Sequence, residues 1–329
     1  MLLAISLILA AVILPTLVWT LLFAWADRYE REPTWLIAVA FLWGALPAIV
    51  LSLIVEVLVG APFVAAPDSL AGELVSSTAV APIVEEVAKA LVLLYIYLRR
   101  RQEFDGVLDG IVYGALVGFG FAMTENLFYF IGAFDEGGIG NLSFIIYLRA
   151  VVFSLNHAFY TALTGIGFGL ARNSRWRAGR LLWPLAGLGA AILVHGLHNF
   201  GVSIASVNAL GVLLSLAIAA GSVGLLLITV LLAWRSEREC VRTELAGEVG
   251  VLLSQSEFDY LTGRWHRPLR PRGRAARTQA DRLQLCVDLA FRKQRLQVLG
   301  VEREPELAGE IENLRGKLAG GALQGDVIG

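Results

Sequence analysis

The first 234 residues alternate between long apolar runs and short polar breaks, and the period is that of membrane-spanning helices. A helix needs about 20 largely apolar residues to cross a bilayer core. Seven runs meet that length: 2–25, 35–59, 75–98, 107–131, 144–170, 181–205 and 210–234. The first carries Pro15, which neighbouring helices accommodate inside a bilayer. It is too long for the apolar core of a cleavable signal and has no basic segment before it, so it reads as a retained helix. The pattern predicts an all-α, polytopic membrane helix bundle of about seven transmembrane helices.

The chain changes character after Trp234. Residues 235–329 hold 16 of the 27 Lys and Arg, although they are under a third of the 329 residues. Residues 1–234 therefore form the expected membrane domain, and 235–329 a polar C-terminal tail. Helical periodicity covers 254–261 and 278–299, the basic stretch 264–277 contains Pro268 and Pro271, and the Gly-rich last ten residues are expected to be disordered. The tail is read as a partly helical, solvated extension rather than a set of helices lying on anionic lipid, since its acidic residues nearly balance the basic ones. The whole chain is 57% hydrophobic and only 17% charged, with mean hydropathy +0.67. A net charge of −1 gives no reason to expect nucleic acid. Cys240 and Cys286 are too few and too far apart for a disulfide framework or a zinc site, and read as free thiols.

Charge also orients the chain. The loops at 27–33, 99–105 and 171–180 and the start of the tail are rich in arginine, while those at 60–74, 132–143 and 206–209 contain no Lys or Arg. The two sets alternate. Positive loops stay cytoplasmic, which predicts a multi-pass plasma-membrane protein with its N-terminus outside and its tail in the cytoplasm.

Several spans hold residues that a bilayer disfavours. An ionised side chain at mid-bilayer costs at least about 2.5–3.5 kcal/mol on insertion scales. Span three nevertheless has Glu85, Glu86 and Lys89, span four Glu125 and Asn126, span five Arg149, Asn156 and His157, and span six His195, His198 and Asn199. At about 1.5 Å rise per residue, those of the four helices fall in one slab covering the middle and outer half of the bilayer. Glu85 and Lys89 are four apart and share a helix face, as are His195 and Asn199. Glu56 and Arg149 lie near span ends, where long side chains snorkel to the interface. Gly114, Gly118 and Gly120 in span four and Gly165, Gly167 and Gly169 in span five allow close helix approach.

Carboxylates and imidazoles in a water-poor cavity can activate a water, relay protons or bind a metal. Glu125, His157 and His195 would suit zinc with an open fourth position, and a glutamate base acting without metal is equally compatible. The bland alternative is that Glu85 and Glu86 pair with Lys89 for structure alone. Two other functional classes compete. A proton-coupled transporter uses similar residues but commonly shows inverted repeats, and none is seen here. A non-catalytic scaffold would act through its tail.

Four short motifs narrow the choice. Glu85-Glu86-Val87-Ala88-Lys89 is similar to EExxK, Phe121 to Asn126 to FxxxEN, His157 followed by Thr161 to a His-plus-Thr motif, and His195 to Asn199 to HxxxN, and the acidic loop before them ends in Pro33. In this order, each on its own helix, they resemble the PrsW family of intramembrane proteases, part of the larger group that includes the type II CAAX prenyl endopeptidases. The resemblance covers about residues 20–205. It implies hydrolysis of peptide bonds by water activated at Glu85 or Glu86, with Glu125, His157 and His195 completing the site. Lys89, Asn126, Thr161, His198 and Asn199 would support it, Asn199 at an oxyanion. Glu125 stands where the prenyl peptidases have His, so their prenylated substrates do not carry over. The implied substrate is a membrane-anchored protein, for example a single-span regulator such as an anti-sigma factor. The implied cofactor is Zn2+ or none.

Overall fold

A computed structural model describes residues 2–26, 29, 32–63, 70–205, 207–263, 274–302 and 304–325. All of its named elements are helical. The chain forms two compact units: Met1–Ala26, Glu32–Arg172 and Arg177–Val230 in one, and Asp27–Arg31, Asn173–Trp176 and Leu231–Gly329 in the other.

The first unit begins with α1 (Leu2–Ala26). It continues through α2 (Thr34–Trp43), a π turn at Gly44–Ala48 and α3 (Ile49–Phe63). Pro47 lies in that turn. It has no N–H to close an α-helical bond, and the widened turn leaves the Ala45 carbonyl open to the Thr124 hydroxyl, which donates to it at 2.6 Å. Next come α4 (Leu70–Val75), a second π turn at Ser76–Val80 and α5 (Ala81–Arg99). Asn199 Nδ2 donates to the Ser77 carbonyl in this second turn at 2.9 Å. The unit is completed by α6 (Val107–Ile146), a third π turn at Tyr147–Val152, α7 (Asn156–Arg172), α8 (Gly179–Ile204) and the first part of α9 (Ala209–Leu245).

Five stretches among the described residues are long and apolar enough to cross a membrane: Leu2–Ala26, Thr34–Val59, Val107–Arg172, Gly179–Ile204 and Ala209–Glu248. The expected count of seven is not reached by that measure, for two physical reasons. Glu85, Glu86 and Lys89 make α5 too charged to qualify. The expected loop at 132–143 is helical, bent at Gly137 and at Gly138 with its positive φ of 63°, so spans four and five merge into one 66-residue stretch. That stretch doubles back on itself. A Cβ on Gly110 or Gly165 would strike the other's backbone carbonyl, and a Cβ on Gly118 would come within 2.6 Å of Ala158 Cα. The falling partner numbers make α6 and α7 antiparallel, in contact through glycine.

The second unit has an apolar core of its own. Val241, Leu245, Leu261, Cys286, Val287, Leu289 and Leu318 are buried together with Tyr29, whose hydroxyl donates to the Leu261 carbonyl at 3.3 Å. The helix expected at 254–261 is α10 (Gln255–Thr262), capped by Ser254, whose hydroxyl accepts from the Glu257 N–H. The one expected at 278–299 is α11 (Arg274–Leu299). The basic stretch at 264–273 lies outside the described residues. The sequence reading missed α12 (Glu306–Gly325), which takes in six of the last ten residues, expected to be disordered. Its Ile311, Leu314 and Leu318 recur at helical spacing and reach the core. Both cysteines are buried, and Cys240 Sγ donates to the Ala290 carbonyl at 3.7 Å.

Candidate active site

Lys89 organises the site. Its side chain is wholly buried in the first unit, where a lone ammonium would be costly and must be compensated. Nζ donates to Glu85 Oε2 at 3.1 Å and to Glu86 Oε1 at 2.9 Å. It lies 3.3 Å from His157 Nδ1 and 3.7 Å from the centroid of the Phe121 ring. The two glutamate contacts follow from α5 alone, through the i,i+4 and i,i+3 spacings. The histidine contact needs α7 alongside, and the glycine seam between α6 and α7 places it there.

The two glutamates occupy different environments. Glu86 is 0% exposed. It accepts from Lys89, from His195 Nδ1 at 3.0 Å and from Thr161 Oγ1 at 3.3 Å. Glu85 has only the Lys89 contact and keeps 12% of its side chain accessible. It lines a cavity of about 390 Å³ with Glu125, Asn126, Asn156, His157, His198 and Asn199. Glu86 and His195 are behind that wall.

Glu125 lies on the far side of His157. The Lys89 ammonium can only donate, so His157 Nδ1 accepts from it and the imidazole carries its proton on Nε2, which lies 2.7 Å from Glu125 Oε2. Arg149 closes the array. It pairs with Glu125 at 2.8 Å, donates from Nε to Asn126 Oδ1 at 2.7 Å and stacks on Tyr129. Arg149 is therefore tied into the site, contrary to the expectation that it snorkels at an interface. The π turn and the non-helical break at Phe153 shift the phase of the chain between Arg149 and His157, which lets both reach Glu125.

His198 has its ring nitrogens 3.4 Å from Asn156 Nδ2 and packs edge-on against Phe153. Asn199 reaches the cavity with its Nδ2 already donating one hydrogen to Ser77. Sequence reasoning missed Tyr160, a buried residue stacked on His195 at 4.8 Å with the rings 19° apart. Its place three residues after His157, on the same helix face, was the available signal.

The donor set suits a cation. One ligand atom each from Glu85, Glu86, His157 and His195 lie within 4.8 Å of one another, and the Lys89 ammonium already touches three of these residues. This set differs from the Glu125, His157 and His195 expected from sequence. Glu125 takes the opposite nitrogen of His157 and is held there by Arg149, so it orients the imidazole from outside.

Comparison with known proteins identifies the family. Residues 32–234 match the family described as PrsW family intramembrane metalloprotease. The chain is 32% identical over 174 residues to Protease PrsW of Geobacillus kaustophilus, covering 53% of this chain and 70% of that one. It is 30% identical over 193 residues to Protease PrsW of Bacillus subtilis, covering 59% and 81%. No solved structure matches it. With the family match spanning well over half of its length and four motif helices converging on one cavity, the chain belongs to the PrsW family of intramembrane metalloproteases.

Proposed function

We propose that Glu85, rather than Glu86, is the base that activates water for peptide-bond hydrolysis in this protease. The observation that carries it is the asymmetry of the pair. Glu86 is sealed off with three partners, while Glu85 faces the cavity with one oxygen committed to Lys89. In the reaction, Glu85 takes a proton from water as the oxygen attacks the scissile carbonyl carbon. The C–N bond then breaks, and the leaving amine receives that proton from Glu85. Asn156, His198 and the second N–H of Asn199 are the donors available to the developing oxyanion. Glu86, His195, Thr161 and Lys89 form the rigid base of the site, and Arg149 with Glu125 fixes the tautomer of His157. A metal ion, if bound, would take its ligands from Glu86, His157 and His195 of this cluster, in place of the Lys89 ammonium and with Glu85 left as the base, and would supply Lewis acidity.

The family implies membrane-protein substrates, and neither transport nor scaffolding is favoured by it. For this chain we take a single-span regulator, such as an anti-sigma factor, as the substrate class. Residues 1–234 would be the catalytic membrane domain. The tail, 235–329, would be cytoplasmic and the N-terminus outside, on the support of the alternating arginine-rich loops. A reporter fused after Gly329 that is active only in the periplasm or on the outer face would contradict that orientation.

The catalytic assignment is tested with full-length protein in proteoliposomes and a single-span substrate. Glu85→Gln should lower the cleavage rate by about 10²–10⁴-fold, the range for loss of a general base, with folding intact. Normal cleavage by E85Q, beside a folded but inactive E86Q, would transfer the role to Glu86.

A further inference from the structure

One acidic residue of the cavity has no part in the array just described. Glu56 lies on α3, outside the four motifs, and lines the same cavity as Glu85 and Glu125. It is half-buried. The other carboxylates around the cavity each hold a cation or an imidazole. Glu56 makes no hydrogen bond or ion pair among the described residues. The two neighbouring cations are already engaged, Lys89 with Glu85 and Glu86 and Arg149 with Glu125. Four carboxylates (Glu56, Glu85, Glu86 and Glu125) thus stand against two cations, and the unpaired one faces open space.

A second, independent feature lies one turn away. Ser52 is four residues before Glu56, so both are on one face of α3. Ser52 lines the cavity too, is 2% exposed, and its buried Oγ has no hydrogen-bond partner among the described residues. A serine in a membrane helix ordinarily returns its hydroxyl to the preceding turn, as Ser215 does to the Gly211 carbonyl at 3.0 Å. The hydroxyl of Ser52 is left free beside an uncompensated carboxylate, and buried polar groups without partners are costly.

We propose that Ser52 and Glu56 form a substrate subsite that takes the cationic side chain of a Lys or Arg near the scissile bond. The ammonium or guanidinium provides the missing counter-charge to Glu56, and Ser52 Oγ accepts one of its N–H groups. Single-span proteins carry such residues beside their spans, with long apolar stems that lie along a hydrophobic wall while the charged head seeks a polar site. Inside a membrane a basic group finds its most favourable partner in a carboxylate. The subsite rests on the protease reading for its purpose but not for its detection, because binding is measured apart from cleavage.

The test uses full-length protein in nanodiscs and three fluorescent single-span peptides that differ at one juxtamembrane position, Lys, Gln or Glu. Binding is read by anisotropy. The Lys peptide should bind about tenfold more tightly than the Gln peptide, the scale of a charge-assisted hydrogen bond, and the Glu peptide most weakly. Glu56→Gln should collapse the Lys-to-Gln ratio toward one, and Glu56→Lys should reverse the ranking in favour of the Glu peptide, a gain that misfolding cannot mimic. Ser52→Ala should reduce the ratio by a smaller factor. Equal binding of the three peptides, no binding of any, or an unchanged ratio in E56Q overturns the subsite. So does displacement of the Lys peptide by Zn2+ in wild type but not in E56Q, since that gives Glu56 to a metal. If the ratio holds while E85Q still cleaves, the base assignment fails and the subsite stands.

Discussion

The two units of this protein place charge in opposite ways. In the membrane unit, large apolar side chains such as Leu14, Leu58, Leu193, Leu213 and Leu225 are exposed, while Glu86 and Lys89 are completely buried. Beyond Trp234 the order is reversed. Leu261, Cys286, Leu289 and Ala290 are sealed inside, and Val251, Tyr260 and Val301 are the only large apolar residues exposed among those described. Ion pairs such as Arg292–Glu310 and Arg282–Glu257 lie at the edge of that core. The difference teaches what each solvent requires. Lipid gives no reward for burying leucine and a heavy penalty for exposing charge, so polar groups collect inside, where they can do chemistry. Water reverses both terms.

The strongest test of the contrast is to unpair the buried cluster. Lys89→Ala leaves Glu85 and Glu86 without their cation. It should cost about 3–5 kcal/mol, as breaking a buried pair does, and abolish accumulation of folded protein, read by detergent-solubilised size exclusion. Replacing all three together (E85Q, E86Q, K89M) should recover folded protein without activity, since removing a whole buried ion cluster is often neutral. If K89A accumulates normally, the cluster is hydrated and the contrast weakens.

Next in size is apolar truncation. Leu289→Ala in the tail core should cost about 2–5 kcal/mol, read by urea titration with hydrogen exchange on tail peptides. Leu225→Ala, on an exposed surface of α9, should change stability by less than about 0.5 kcal/mol. Equal losses would mean that α9 is packed against protein at that point.

Smaller effects come from the tail's edge. Burial raises the carboxyl of Glu248, but hydrogen bonds from Arg315 and Lys293 outweigh it and hold its pKa below the ordinary value of 4.5. A depressed carboxyl pKa adds stability above that value and loses it as the pH falls through the folded pKa. Tail stability should therefore decline below about pH 4.5, and Glu248→Gln should remove about 1 kcal/mol together with part of that decline. A tail equally stable at pH 7 and pH 3.5 would sink this assignment. The smallest effect is chemical. Burial pushes the Cys286 thiol up to about 12, so maleimide should leave it unmodified in folded protein at neutral pH and label it once the tail unfolds.

Much of this was legible along the chain. Run length and polarity mark a membrane bundle because both are local consequences of bilayer thickness. The Glu85, Glu86 and Lys89 contacts are equally local, since a single helical turn brings them together. The convergence of α5, α6, α7 and α8 was visible as a shared depth of polar residues, which rise per residue fixes. The helical stretches on either side of the Gly137–Gly138 bend within 132–143, the extra helix α12 and the partner of Arg149 were not visible. The first two depend on which backbone hydrogen bonds survive beside glycines, the third on a π turn that shifts helical phase.

What the sequence determined by itself is a set of candidate polar residues, the helices that carry them and the family the chain belongs to, because periodicity and spacing act within one helix. Only the tertiary structure decided that Glu85 faces the cavity while Glu86 faces the protein, that Glu125 approaches the second nitrogen of His157, and that Glu56 has no partner among the described residues across the cavity. The reason is geometric. Helical periodicity fixes the angle between two side chains on one helix, but the direction in which that pair points is set by its neighbours, through glycine seams and widened turns.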